Sequence, residues 1–203
     1  MSEISQQEFQ RRRQALLAQM QPGSAALIFA APEATRSADS EYPYRQSSDF
    51  WYFTGFNEPE AVLVLIKSDD THNHSVLFNR VRDLTAEIWF GRRLGQEAAP
   101  SKLGVDRALA FSEINQQLFQ LLNGLDAIYF AQGEYAYADK IVFTALEKHA
   151  VAGAVVVDGL TATLIVHRQR ALHAGLGSVN DGVALFIRQQ IAKHHHARVA
   201  HAG

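Results

Sequence analysis

The sequence predicts an α/β protein built on a mixed sheet, and three observations predict it. Apolar runs of strand length recur at 25–30, 61–66 and 127–130. Stretches of helical period separate them, and glycine, proline and aspartate turns mark the joins. Strands that alternate with helices are the pattern of helices packed on a sheet.

Ser5-Gln6-Gln7-Glu8 reads as a capping box, with the serine hydroxyl and the glutamate carboxylate both serving orphan amides of a helix start. The helix runs to about residue 20, with Phe9, Leu16, Leu17 and Met20 on one face, until Pro22-Gly23 stops it. Residues 25–30 form a buried strand, and the polar stretch 32–43 a long loop. Residues 61–66 (AVLVLI) suit a central strand covered on both faces. Residues 76–78 pair with it through a hairpin turn in the polar segment 69–74. A helical stretch follows at 85–90, and Gly91, Gly95 and Pro100 then punctuate a loop. Residues 108–111 are a short strand. Ser112 caps a helix carrying Ile114, Leu118, Leu121 and Leu122, which ends at Gly124 in a left-handed conformation. Residues 127–130 are a strand, and 135–148 a helix with Ala138, Ile141, Val142 and Leu146 inward.

With 203 residues, 47% of them hydrophobic and 20% charged, the chain can bury one substantial core with room for a small appendage. The formal net charge of -2 gives no basic field for phosphates, so neither nucleic acid nor an anionic membrane is expected as a partner. There is no cysteine, which removes disulfides, thiolate metal sites and a cysteine nucleophile together and fits a reducing cytoplasm. The first 20 residues are polar and include Arg11, Arg12 and Arg13, and no run approaches the roughly 20 apolar residues of a membrane span. A soluble, cytoplasmic protein is expected.

Two segments carry more than a fold requires. In 42–61, a polar loop with Arg45 and Asp49 leads into Phe50, Trp51, Tyr52, Phe53 and Phe56. The plain reading makes these aromatics core, with Asp49 as the cap of the segment. In 82–95, Trp89 is followed by Gly91, Arg92 and Arg93. Residue types leave two readings open there: an exposed tryptophan on a contact surface, or a half-buried one beside solvated charge.

The blocks SSDFWYFTGFNEPEAVLVL (47–65), RDLTAEIWFGRRLG (82–95) and GVD (104–106) resemble the N-terminal domain of Xaa-Pro aminopeptidases, the aminopeptidase P family. The resemblance runs from Met1 to about Lys148. It implies a creatinase- and prolidase-like domain, a mixed sheet of about six strands flanked by helices. In the family a catalytic pita-bread domain follows. There two manganese ions, held by two aspartates, a histidine and two glutamates, activate the hydroxide that attacks the bond before proline. The resemblance further implies a domain that self-associates or joins full-length subunits. Trp89 is then the residue that reaches a neighbour's active-site mouth and binds substrate in trans, with Arg92 and Arg93 beside it.

Composition and resemblance fail together near residue 149. Of 21 acidic side chains only Asp158 and Asp181 lie beyond it. Residues 1–148 are therefore expected to be the aminopeptidase P N-terminal domain. Residues 149–203 are expected to be a divergent tail, as an out-of-frame extension, a fusion or a gene-model artefact would give. A strand at 154–157 and a helix at 183–193 are the elements it suggests. The carboxylate-rich dimetal set cannot be assembled from it, so no catalytic residue or metal ligand is assigned and peptide hydrolysis by the chain alone is not expected. His194-His195-His196, with His173 and His201, offers a weak metal site at most, because consecutive helical residues diverge by about 100°. Two other readings remain open: a stand-alone module that modulates full-length enzyme, and metal binding by the histidine-rich tail.

Overall fold

The computed structural model describes residues 4–37, 40, 41, 43–125, 127–150, 154–157 and 163–167. In chain order these give α1 (Gln6–Gln19), β1 (Ser24–Phe29), β2 (Thr35–Ser37), β3 (Ser40–Glu41), α2 (Ser48–Thr54), β4 (Val62–Lys67) and β5 (Asn73–Asn79). There follow α3 (Leu84–Phe90), α4 (Gly95–Leu103), β6 (Arg107–Ala110), α5 (Ile114–Leu121), β7 (Ala127–Phe130), α6 (Ala136–Ala150), β8 (Ala154–Val157) and β9 (Thr163–His167). The main sheet runs β6-β5-β4-β1-β7-β9-β8. Two of its pairings, β1 with β7 and β5 with β6, are parallel, and the other four are antiparallel. The predicted mixed α/β class is what the chain adopts. Five of these strands precede residue 148. The 154–157 run forms a strand as expected and joins the sheet through β9. The expected boundary at 148 falls inside α6. The 183–193 helix and the histidines at 173, 194–196 and 201 lie outside the described residues.

Alternation along β4 explains its unbroken apolar run. Leu63 and Leu65 face a cluster with Leu16, Leu17, Phe50 and Phe53 from α1 and α2, while Val62, Val64 and Ile66 face Leu118, Val142 and Leu146 from α5 and α6. At the end of β4, buried Lys67 donates from Nζ to the Leu17 carbonyl at 3.1 Å, placing a cation at the C-terminus of α1, whose own last turn has no basic residue.

Several local expectations change for physical reasons. The aromatic segment is a helix, and its cap is Ser47, which accepts from the Phe50 N–H; Asp49 sits in the first turn. Phe50, Phe53 and Phe56 are core, but Trp51 lies outside it at 38% exposure, edge-on to Phe9. Gly55 ends α2 at φ 64°, and a Cβ there would stand 2.5 Å from the Phe9 ring, so the turn needs glycine twice over. Glu8 completes only half of the capping box. Ser5 Oγ accepts the Glu8 N–H at 3.3 Å, but the carboxylate turns to Arg11 and Arg12, which hold it down at about 2. The stretch read as a loop around Pro100 is α4. The ring removes one helical donor, yet Ala99 is fully buried and the Gly104 N–H closes the helix on the Pro100 carbonyl at 2.9 Å. Ser112 falls within a single 3-10 turn (Phe111–Glu113), and no side chain caps α5.

Candidate functional site

Between the end of β5 and the start of α4 the chain leaves the sheet, makes α3 and returns. Asp83 starts the helix by accepting from the Thr85 and Ala86 N–H groups, both at 3.0 Å. Gly91 ends it, giving its N–H to the Glu87 carbonyl at 3.2 Å. None of the seven residues of α3 is buried. Leu84, Ile88, Trp89 and Phe90 are 73–80% exposed, and Val81 just before them is 44% exposed. Four large apolar side chains exposed together on one short helix are of the kind a contact surface presents. Trp89 is therefore exposed and not half-buried.

Glu87 is the exception on α3, turned inward with only 6% of its side chain exposed. Its carboxylate accepts from Arg82 Nε at 3.0 Å and Nη2 at 3.1 Å, and from the Arg93 backbone N–H at 2.6 Å. The Arg82 bond first, and the Arg93 amide second, hold its pKa below the usual carboxylate range. Arg93 adds a bond from Nη1 to the Val81 carbonyl at 3.2 Å. Arg93 is thus committed to the loop, while Arg92 is exposed.

A second tier fixes the base of the loop. Glu58 accepts the Leu94 N–H at 2.8 Å and pairs with Arg80 at 3.3 Å. Asn79, fully buried, donates to the Gly95 carbonyl at 3.0 Å, and Gln96 Nε2 lies within 3.1 Å of the carbonyls of Asn79 and Arg80. Gly95 has φ 73°, and a Cβ there would meet Arg82 Cγ at 2.6 Å, against the side chain that holds Glu87. The motif 82–95 therefore reads as a set of fastenings with Trp89 at its tip.

The first motif is fastened from α1. Arg13, 3% exposed, gives its guanidinium to the carbonyls of Phe53, Leu103 and Gly104 at 2.8–3.0 Å. Arg12 bonds to the Tyr52 carbonyl and Glu8, and lies 4.4 Å over the Tyr52 ring. In the sequence both arginines are polar residues of a helix, and no local signal marks them as buried. A polar hollow of about 220 Å³ beside Arg13 is lined by Gln10, Gln14, His74 and Asp106. Asp106, from the GVD motif, is taken up by Ser75, accepting its N–H at 2.7 Å.

Among the described residues no group of three or more His, Asp or Glu side chains could hold a metal ion. The two manganese ions of the resemblance therefore find no fitting donor set in the described part of the chain. Among the same residues no helix is long and apolar enough to cross a membrane.

The profile of the family described as "Aminopeptidase P, N-terminal domain" matches residues 9–129. The chain is 90% identical over 148 residues to the Xaa-Pro aminopeptidase of Escherichia coli K12, which is 73% of this chain and 34% of that protein. It is 42% identical over 142 residues to the Xaa-Pro aminopeptidase of Haemophilus influenzae, 70% of this chain and 33% of that protein. It thus spans about a third of the length of the curated relatives it matches. Among solved structures, zinc-substituted E. coli aminopeptidase P in complex with product superposes with a TM-score of 0.73 at 89% identity, over 73% of this chain and 34% of the other. The low-pH form of the E. coli enzyme gives the same TM-score of 0.73 at 88% identity. Sequence and fold agree, and the chain belongs to the aminopeptidase P N-terminal domain family.

Proposed function

We propose that this chain is the assembly and substrate-gating part of an Xaa-Pro aminopeptidase, a metal-dependent peptidase acting on peptides with proline in the second position. Residues 1–148 supply that part, and Trp89 is its working residue: it meets a neighbouring subunit and walls the mouth through which peptide enters. The observation that carries this reading is α3, whose apolar side chains bury nothing in their own domain and leave Trp89 79% exposed. Arg92, exposed three residues further along the chain, gives the rim a cation that suits a peptide carboxylate or an acidic neighbour. The manganese chemistry of the family belongs to residues outside this part, and the cysteine-free composition suits the cytoplasm.

The same patch favours a second reading, a stand-alone module that inserts into full-length assemblies and changes their activity. Adding the chain to the full-length E. coli relative, and reading both mixed assembly and hydrolysis of a proline-containing peptide, separates the two. Mixed oligomers with altered turnover support the second reading. Mixed oligomers with unaltered turnover per full-length subunit support assembly alone, and no mixed oligomer contradicts both.

A further inference from the structure

We infer that Glu87 is a positioning residue for Trp89: by accepting from Arg82 before α3 and from Arg93 after it, its carboxylate fixes the helix that holds the indole out. The importance of Trp89 itself rests on its reading as a contact residue.

A helix of seven residues does not hold its shape alone in water, and most helices in proteins are stabilised by burying an apolar face. α3 has no such face, since none of its residues is buried. Its cap, Asp83, satisfies two N–H groups but sits on the same exposed loop. Glu87 ties α3 to the segments that enter and leave it. Arg82 comes five residues before it and Arg93 six after, so one carboxylate joins the entry and the exit of the loop. Both partners are themselves fixed. Arg93 reaches back to the Val81 carbonyl, and Arg82 packs against Gly95, where only a glycine leaves room for it. Charge-assisted bonds of this kind are stronger and more directional than neutral ones, which suits them to fix an exposed helix that packing does not.

The chain has two tryptophans, so Trp51→Phe leaves Trp89 as a single probe. In that full-length chain, nanosecond fluorescence anisotropy reads the local motion of Trp89, and hydrogen exchange reads the amides of 84–91 and 93. Glu87→Ala is expected to enlarge the fast component of the decay at least about twofold and to speed those amides at least about tenfold. The melting temperature should stay within a few degrees, because α3 contributes no core. Glu87→Gln, which still accepts from the Arg93 N–H, should recover part of the order, and Glu97→Ala, an exposed acid on α4, should change nothing. Arg82→Leu breaks the tie from the other side and should repeat the alanine result. An unchanged Trp89 decay in both Glu87→Ala and Arg82→Leu overturns the inference. If the decay responds but Trp89→Ala leaves assembly with the E. coli relative unaffected, the tie stands and the reading of Trp89 as a contact residue falls.

Discussion

Glu87 accepts the backbone N–H of Arg93 at 2.6 Å, so a carboxylate within α3 closes the loop that leaves it. The bond gives the loop a pH dependence whose sign follows from the carboxyl. Its pKa in the folded chain lies below the ordinary value, so its contribution is complete above about pH 4.3 and is lost as pH falls through the lower folded value. The groups acting on it are the Arg82 and Arg92 side chains and the Arg93 amide. Trp89 should therefore become more mobile as pH falls below about 4.3, on the order of the Glu87→Ala effect at neutral pH. Glu87→Gln should not show this step; the same step in that variant would contradict the assignment.

Gly95 should not tolerate alanine. A left-handed backbone at φ 73° costs an alanine about 1–2 kcal/mol, and its Cβ would displace Arg82 from Glu87. Urea denaturation should show a loss of about 1–3 kcal/mol, together with faster exchange of the α3 amides. Stability equal to the parent's would mean that the loop re-forms around the methyl group.

Arg13 is expected to matter more than Arg11. Arg13→Met keeps the stem but leaves the buried Phe53 carbonyl and the half-buried carbonyls of Leu103 and Gly104 short of a donor, a loss of about 2–4 kcal/mol in urea unfolding. Arg11→Ala, at an exposed pair with Glu8, should cost no more than about 0.5 kcal/mol. Equal effects would contradict the burial argument.

These residues also mark how far the sequence is legible. Periodicity locates most of the strands and helices, and the β4 run identifies a strand covered on both faces. Phe9, Leu16, Leu17 and Met20 are on the predicted face of α1 and are buried. Arg12 and Arg13 are not readable as core because the carbonyls they serve lie 40 to 91 residues away, and local pattern carries nothing about such distances. Pro100 misled for the opposite reason: a local breaker signal was overruled by the packing of Ala99 and the closure of the helix at Gly104. At the candidate site the sequence pointed to Trp89 through the family motif. Glu87 carries no local sign of its role in the sequence, since only the loop's return brings the Arg93 amide to it.

The sheet beyond β7 can be tested amide by amide. Ala127 donates to the Gly23 carbonyl on the β1 side, so alternation points the amides of Ile128 and Phe130 toward β9. Both should exchange at least about tenfold more slowly than free amides, and Ile165→Pro should release them while Ala127 and Tyr129 stay protected. Free exchange at Ile128 and Phe130 in the parent would contradict the pairing of β9 with β7.

The most direct test of the functional account is native mass spectrometry of the chain mixed with the full-length E. coli Xaa-Pro aminopeptidase. Mixed oligomers are predicted, weakened at least about tenfold by Trp89→Ala, as removal of an interface tryptophan weakens a contact that depends on it. No mixed oligomers, or mixing that Trp89→Ala leaves untouched, would contradict it.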